Sequence, residues 1–315
     1  MKPARIGIVG ARRARQGLGP FVARDLAKAG TDVVAFTTTN AATVQEAGAA
    51  LSTLGVRAEG YTSMEVMLDQ QNLDAVVILS PPEHHESALD WAWTAGCHVL
   101  CEKPLVQPAS GADASRLVDQ FAGSGLLLAE NCQWPQVLDA ARELVPTMGV
   151  DSLERFEMEL CPESRGVGLV RDAMSHPLSL LQSLTQHPGA VINVAFDETD
   201  PDTGFTVAHF DFLSPGQVTA CEVRLFRTEL RPRPASFAVN GQRVQRLIRE
   251  PGYTFHLSHG DRLVGCPDPL TTHIARWTEQ LSATLSGTPP ERATEIEARA
   301  DMLETFVSTF GETHG

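Results

Sequence analysis

The 315-residue sequence has no run of about 18 consecutive apolar residues, the length that a membrane-crossing helix needs. Its first apolar run, Ile6–Gly10, is short and leads into Arg12, Arg13 and Arg15 rather than a small-residue cleavage site, which argues against a secretory leader. Positive charge is also scarce. Lys and Arg number 25 against 39 Asp and Glu, a net charge of -14, which excludes a general nucleic-acid-binding face. The six cysteines (Cys97, Cys101, Cys132, Cys161, Cys221, Cys266) form no C-x-x-C pair, and His256, His259 and His273 lack the spacing of an H-E-x-x-H metal site. No zinc site, other metal or disulfide framework is expected; the expectation is a reduced, cytoplasmic protein. There is no internal repeat and no low-complexity tract. What remains is a globular composition, 43% hydrophobic and 20% charged, long enough for two domains.

The two parts of the chain differ in periodicity. Up to residue 128, short unbroken apolar runs alternate with helical patterns. Arg5–Val9, Asp32–Thr37, Asp74–Ser80, His98–Cys101 and Leu126–Ala129 read as strands, with helices over Pro20–Ala29, Ala41–Leu54, His84–Ala95 and Ala112–Ala122. Five apolar residues in a row in "DAVVILS" imply a strand covered on both faces, hence a parallel sheet. Beyond residue 129 a helix around Val137–Leu144 precedes longer alternating strands: Leu153–Leu160, Ala190–Asp197, Thr206–Phe212, Gln217–Phe226 and Ala235–Val239. The last 45 residues or so return to helix. The expected fold is α/β. A doubly wound, Rossmann-type parallel sheet (1–128) is followed by an α+β domain (129–315) with a large, mostly antiparallel open sheet. The exposed face of that second sheet predicts pairing into a homodimer or homotetramer.

Three segments carry candidate chemistry. In "GIVGARRARQGLGP", Gly10 ends the first strand, and Gly17 and Gly19 lead into the next helix, about two residues later than the usual G-x-G-x-x-G loop allows. Such a strand-to-helix loop holds a pyrophosphate against helix N-terminal amides; a plain turn with a solvated basic loop is the alternative. The second strand ends in Thr37–Thr38–Thr39–Asn40, without the acid that binds a ribose 2′-hydroxyl. Hydroxyls at Thr37 and Thr38 tolerate a 2′-phosphate that a carboxylate would repel, and Arg12 and Arg13 suit it as bidentate donors, which points to NADP over NAD; arginines that merely offset the acidic surface are the alternative.

The segment "DAVVILSPPEHHESALDWAWTAGCHVLCEKPLV", residues 74–106, places Lys103 at the carboxyl end of a parallel strand, where ligands bind in open α/β sheets. A lysine there can hydrogen-bond a substrate oxygen and exchange a proton with it; by itself it also fits a surface strand end. With Ser80–Pro81–Pro82, His85 and Glu102–Lys103–Pro104, the segment resembles the Gfo/Idh/MocA oxidoreductases, which include glucose–fructose oxidoreductase and inositol dehydrogenase. The resemblance is strong over residues 74–106 and loose beyond about 190. It implies that Lys103 touches both substrate and cofactor and that the Lys103–Pro104 peptide helps place the nicotinamide. It also brings Ser80, Pro81, His85, Glu102 and Asn131 to the cofactor side.

The third segment, "RGVGLVRDAMSHPLSLLQSL", spaces Asp172 and His176 four apart, on one face if the stretch is a single helix capped by Ser175, with Pro177 in its first turn. Histidine suits proton relay near neutrality; an exposed pair at a helix end is the plainer reading. The resemblance makes them the family's D-x-x-x-H pair at the substrate site opposite the nicotinamide. His176 would act as acid/base or orient the reacting oxygen, and Asp172 would bind a substrate hydroxyl. The sequence departs from the family pattern in having Met174 for glycine two residues before the histidine. It also has Asn131–Cys132–Gln133–Trp134–Pro135 in place of a segment with tyrosine–arginine.

Of the weaker signals, His85 is a candidate cofactor contact or a helix cap. Trp91 and Trp93 cannot share a helix face, so at least one belongs at a domain or subunit contact. The run "RTELRPRP" (Arg227–Pro234) suits a solvated loop or, alternatively, an anionic substrate group. The expected function is hydride transfer between NAD(P) and a hydroxyl or carbonyl carbon of a small sugar, cyclitol or related polar metabolite. Reduction of an imine and non-catalytic NAD(P) sensing are the competing readings.

Overall fold

The computed structural model describes residues 2–12, 17–149, 152–200, 204–249 and 252–314. Arg13 and Arg15 of the first loop lie outside them. The chain divides into two compact units: Met1–Pro108, Ala112–Asn131 and Leu270–Ile296 form the first, and Ala109–Gly111, Cys132–Pro269 and Glu297–Gly315 the second.

The first unit holds a six-stranded sheet of β1 (Arg5–Val9), β2 (Asp32–Thr37), β3 (Glu59–Tyr61), β4 (Ala75–Ile78), β5 (His98–Cys101) and β6 (Leu128–Glu130). The order is β3-β2-β1-β4-β5-β6 and every pairing is parallel. The strand order reverses between β1 and β4, the switch point at which α/β sheets bind ligands. Helices α1 (Gly19–Lys28), α2 (Ala41–Thr53), α3 (Met64–Gln70), α4 (His85–Thr94) and α5 (Gly111–Gly123) make the connections. All four residues of β4 and of β5 are buried, as strands covered on both faces must be. The short β3 and α3 leave little trace in the sequence, since three and seven residues are too few for a period to show.

The sequence placed everything past 129 in the second domain. Instead α9 (Pro269–Leu285) returns to the first unit, because Leu270, Ile274, Trp277 and Leu281 fall on one helical stripe and join the core of Ile6, Ile8, Leu26 and Phe36. Thr271 Oγ1 also bonds Asp25 Oδ2 at 2.7 Å.

The second unit is built on an eight-stranded sheet of β7 (Arg155–Leu160), β8 (Ala190–Asp200), β9 (Phe205–Ser214), β10 (Gln217–Phe226), β11 (Ser236–Val239), β12 (Gln242–Arg249), β13 (Thr254–His259) and β14 (Arg262–Cys266). Its order is β14-β13-β12-β11-β7-β10-β9-β8, antiparallel except for β7 with β10. One face is covered by α6 (Leu138–Leu144), α7 (Val167–Ala173), α8 (Ser175–Thr185) and part of α10 (Thr294–His314), with Phe156, Met158, Phe237 and Val244 in the core between. The other face alternates charges. Arg155 Nε meets Glu157 at 2.7 Å, Arg224 Nε meets Glu222 at 2.7 Å, and Arg243 also bonds Glu157. Strands β12 to β14 were not read from sequence, because their non-core positions are Gln, Arg and His rather than the apolar alternation of β7.

Candidate active site

In the first unit, β1 delivers Gly10 at φ +83°, a left-handed conformation that favours glycine. A Cβ there would come within 2.8 Å of Ser80 N and 2.9 Å of the Leu79 carbonyl. The glycine therefore lets the two loops at the switch point approach. Gly19 does the same at the start of α1, where a Cβ would lie 2.3 Å from Ala11 O. The N-terminus of α1 has neither a capping side chain nor an acid in its first turn, so it suits an anionic phosphate. Gly17 lies just ahead of that helix and is half-buried.

The residues offered for a 2′-phosphate are placed differently from expectation. Thr37 and Thr38 are buried, not open. The Thr37 carbonyl accepts from Gly10 N and Ala11 N, and Thr38 Oγ1 bonds Thr43 Oγ1 at 2.9 Å. The cause is the capping box of α2, in which Asn40 and Thr43 bond each other's backbone and draw the preceding threonines inward. The exposed groups are Thr39 and Asn40. Arg12 lies at the surface, its Nη2 2.9 Å from Glu46 Oε2 on α2. Arg13 lies outside the described residues.

Lys103 stands on the turn after β5, half-buried, with a cis peptide to Pro104. Three neighbours fix that turn. His85 bridges two backbone carbonyls, with Nδ1 2.8 Å from Pro104 O and Nε2 2.8 Å from Ser80 O. Glu130, buried at the end of β6, accepts from Leu105 N at 2.9 Å. The Asn131 amide bonds Glu102. Burial pushes the Glu102 carboxyl above its usual range, opposed by the Lys103 ammonium and the Asn131 amide. Asn131 is 2% exposed, and its Oδ1 has no partner among the described residues; neither has Ser80 Oγ. Two buried acceptors are thus left for a ligand to satisfy. Pro81, exposed, begins the turn ahead of α4.

His85, expected at an open helix start, has both ring nitrogens taken by backbone carbonyls. It is fully buried beneath the two loops that it ties together, and burial pushes its pKa down against the pull of both carbonyls, Glu130 and Glu83. Trp93 is likewise internal to the first unit, its Nε1 bonding Gln120 O and Ser124 Oγ on and after α5, while Trp91 is 40% exposed.

In the second unit, Asp172 and His176 do not share a helix. Asp172 is near the end of α7 and His176 near the start of α8, with Met174 between. Pro177 is the cause: it has no N–H for the Ala173 carbonyl, so the ladder breaks one turn earlier. Ser175 is the first residue of α8 and does not cap it. Asp172 accepts from Ser164, and both Asp172 and His176 are half-buried. Among the described residues no cluster of His, Cys, Asp or Glu has the geometry of a metal site, and no helix is long and apolar enough to cross a membrane.

Residues 4–132 match a family described as an oxidoreductase family with an NAD-binding Rossmann fold. These residues belong to the Gfo/Idh/MocA family. Among curated relatives, dTDP-3,4-didehydro-2,6-dideoxy-α-D-glucose 3-reductase of Streptomyces violaceoruber is 43% identical over 88 residues, 28% of this chain and 24% of that protein. The match thus spans about a quarter of that relative. A probable dehydrogenase from Thermotoga maritima shares the fold over 98% of this chain and 97% of its own, with a TM-score of 0.73 at 17% identity. So does myo-inositol dehydrogenase from Lactobacillus casei, solved with NAD(H) and myo-inositol, over 99% and 96%, with a TM-score of 0.72 at 15% identity. The sequence match lies in residues 4–132, and the likeness over the rest of the chain is one of fold.

Proposed function

We propose that the chain is an NAD(P)-dependent oxidoreductase acting at a hydroxyl or carbonyl carbon of a sugar, cyclitol or related polar metabolite. The observation that carries this reading is the turn at the carboxyl end of β5, where a lysine is held by buried groups that engage its neighbours' backbone and side chain. Nicotinamide, when bound, supplies the hydride donor or acceptor. The N-terminus of α1 and the Gly10 turn hold its pyrophosphate. Asn131 Oδ1 and Ser80 Oγ accept from its polar edge. The Lys103 ammonium hydrogen-bonds the reacting oxygen and exchanges its proton. In the second unit, His176 is the candidate acid/base or orienting group for a substrate oxygen, and Asp172 the candidate ligand of a substrate hydroxyl.

Preference for NADP is supported by the acid-free Thr37–Asn40 turn and by Arg12 at the surface beside α2. Self-association through the charged face of the eight-stranded sheet is supported by its Arg–Glu pairs, along strands at Arg155–Glu157 and Arg224–Glu222 and across strands at Arg155–Glu222 and Arg243–Glu157, which a second copy can match. Six buried cysteines with no disulfide among the described residues suit a reducing compartment such as the cytoplasm. Titration with NADPH and NADH, followed by nicotinamide fluorescence, tests the core of the reading; absence of binding by either overturns it. Turnover on a panel of polyols, sugars and imines then separates an alcohol dehydrogenase from an imine reductase, and tight binding without any turnover indicates a sensor.

A further inference from the structure

Arg246 is an arginine on the wrong side of its strand. In β12 the side chains alternate, and Val244 lies in the core between sheet and helices. Arg243, one position earlier, lies on the charged outer face with Glu157. Arg246 shares the face of Val244 and so points toward the helices. There its guanidinium lies 5.8 Å from the centroid of the Trp134 ring. Its Nη2 donates to Arg233 O at 2.5 Å, and its Nε is buried with no hydrogen-bond partner. No carboxylate pairs with it among the described residues. Burial pushes its pKa down and Arg233 pushes it the same way. The Cys161 thiol alongside is raised to about 11 by burial, so it is neutral near pH 7 and compensates nothing. A half-buried guanidinium with its Nε enclosed and no counter-charge is costly to the fold.

The surroundings add positive charge. The loop Arg227–Pro234 brings Arg231 and Arg233 together on Glu163, at 3.4 Å and 2.5 Å. Arg233 Nη1 also donates to Cys161 O at the end of β7. Two residues past Cys161 comes Glu163, and then Ser164, which bonds Asp172. On the other side, the turn carrying Trp134 packs against α8, which begins beside His176. The basic cluster therefore adjoins, through a continuous set of contacts within the second unit, the pair proposed for the substrate.

We infer that Arg246, with Arg233, is the receptor for an oxyanion, a carboxylate or phosphate, carried by the substrate. This rests on the oxidoreductase reading and narrows its substrate class from neutral polyols to sugar acids or sugar phosphates. A planar oxyanion meets the guanidinium fork with two parallel hydrogen bonds and neutralises the stranded charge.

The test uses the full chain with NADPH bound and isothermal titration calorimetry. D-Gluconate and D-glucose 6-phosphate are compared with D-glucose and myo-inositol. At least one anion is expected to bind about tenfold or more tightly than its neutral counterpart, and the pair of anions tells carboxylate from phosphate. Arg246→Met is expected to bring anion and neutral ligands within about twofold of each other, while Arg246→Lys keeps part of the difference. Without ligand, Arg246→Met is expected to unfold at the same temperature or higher, since a stranded charge is removed. Should Arg246→Met fail to fold, Arg246 is a structural strut and the inference falls, unless Arg233→Gln independently removes the anion preference. Equal binding of anions and neutral polyols by the unsubstituted protein also overturns it. In that case NADPH binding still stands for the oxidoreductase reading, whereas absence of NADPH binding removes the reading itself.

Discussion

In the first unit the candidate reactive group is fixed through the backbone, and in the second through side chains at strand and helix ends. Lys103 stands on a turn whose carbonyl and amide are taken by His85 and Glu130. Gly10 and Gly19 are required by contacts to the backbone itself. In the second unit Asp172 is held by Ser164, and Arg246 lies against Trp134. Backbone demands leave glycine, proline and fixed spacings in a sequence. Side-chain demands leave only a residue whose neighbours depend on strand register. The first kind of site can be recognised by pattern; the second emerges only once β12 is known to pair with β11.

The sharpest way to break this contrast is to remove the clamped amine. Lys103→Met is expected to lower turnover about 10²- to 10⁴-fold, the range for a lost general acid/base, with NADPH affinity within about threefold of the parent. Steady-state kinetics beside fluorescence titration reads both. Equal losses of turnover and cofactor binding would make Lys103 a cofactor anchor and place it outside the chemistry.

Next in size is the return of α9 to the first unit. Trp277 is 1% exposed in the core beside Ile6 and Phe36. Trp277→Ala is expected to cost about 3–5 kcal/mol of stability, the usual range for emptying a large aromatic site. Trp277→Phe is expected to cost much less, because the indole Nε1 has no hydrogen-bond partner among the described residues to lose. Chemical denaturation measures both. Gly10→Ala follows, at about 2–3 kcal/mol from a left-handed backbone that alanine resists and a Cβ within 2.8 Å of Ser80 N.

The parallel sheet was legible because β4 is an unbroken apolar run, β5 is apolar after His98, and glycines close the turns between elements. The E-K-P turn was legible for the same reason: its residues are consecutive. The sequence misled where two local signals competed. The four-residue spacing of Asp172 and His176 implied one helix, but Pro177 broke the ladder at Met174. Thr37 and Thr38 looked open at a strand end, but the Asn40–Thr43 capping box buried them. His85 stands where the sequence pattern puts it along the chain, but only the fold shows that it is enclosed and bonds the Pro104 and Ser80 carbonyls. The hairpins β12 to β14 left little trace, since a half-exposed strand rich in Arg and Gln lacks an apolar period.

Acid should expose a further difference between the units. His98 is buried, and its Nδ1 accepts from Leu127 N at 2.9 Å, which fixes the neutral tautomer. Burial lowers its pKa, opposed by Asp74, and burial lowers that of His85 as well. Both folded values lie below the ordinary 6.5. Their contribution to stability is therefore complete above about pH 6.5 and is lost as pH falls through the lowered values. The unfolding temperature is expected to decline on acidification below that point. His98→Asn, whose amide oxygen can take the same Leu127 N–H, is expected to flatten the decline. An unchanged profile in His98→Asn would assign the acid sensitivity to other groups.

The smallest effect concerns cofactor choice. Arg12 and Glu46 form a surface pair with Arg12 38% and Glu46 64% exposed, and such a pair contributes about 0–1 kcal/mol. Breaking it costs little, so Arg12 can turn from Glu46 to a 2′-phosphate when one is present, gaining a bidentate, charge-assisted contact. Arg12→Ala is then expected to weaken NADPH binding about three- to tenfold and leave NADH unchanged, with no measurable loss of stability. Glu46→Gln sharpens the same point from the other side. It frees the guanidinium and removes a nearby negative charge, so NADPH should bind slightly more tightly and NADH as before. If both variants shift NADPH and NADH together, Arg12 contacts the pyrophosphate common to the two cofactors, and the acid-free turn at Thr37–Asn40 is left as the remaining support for NADP.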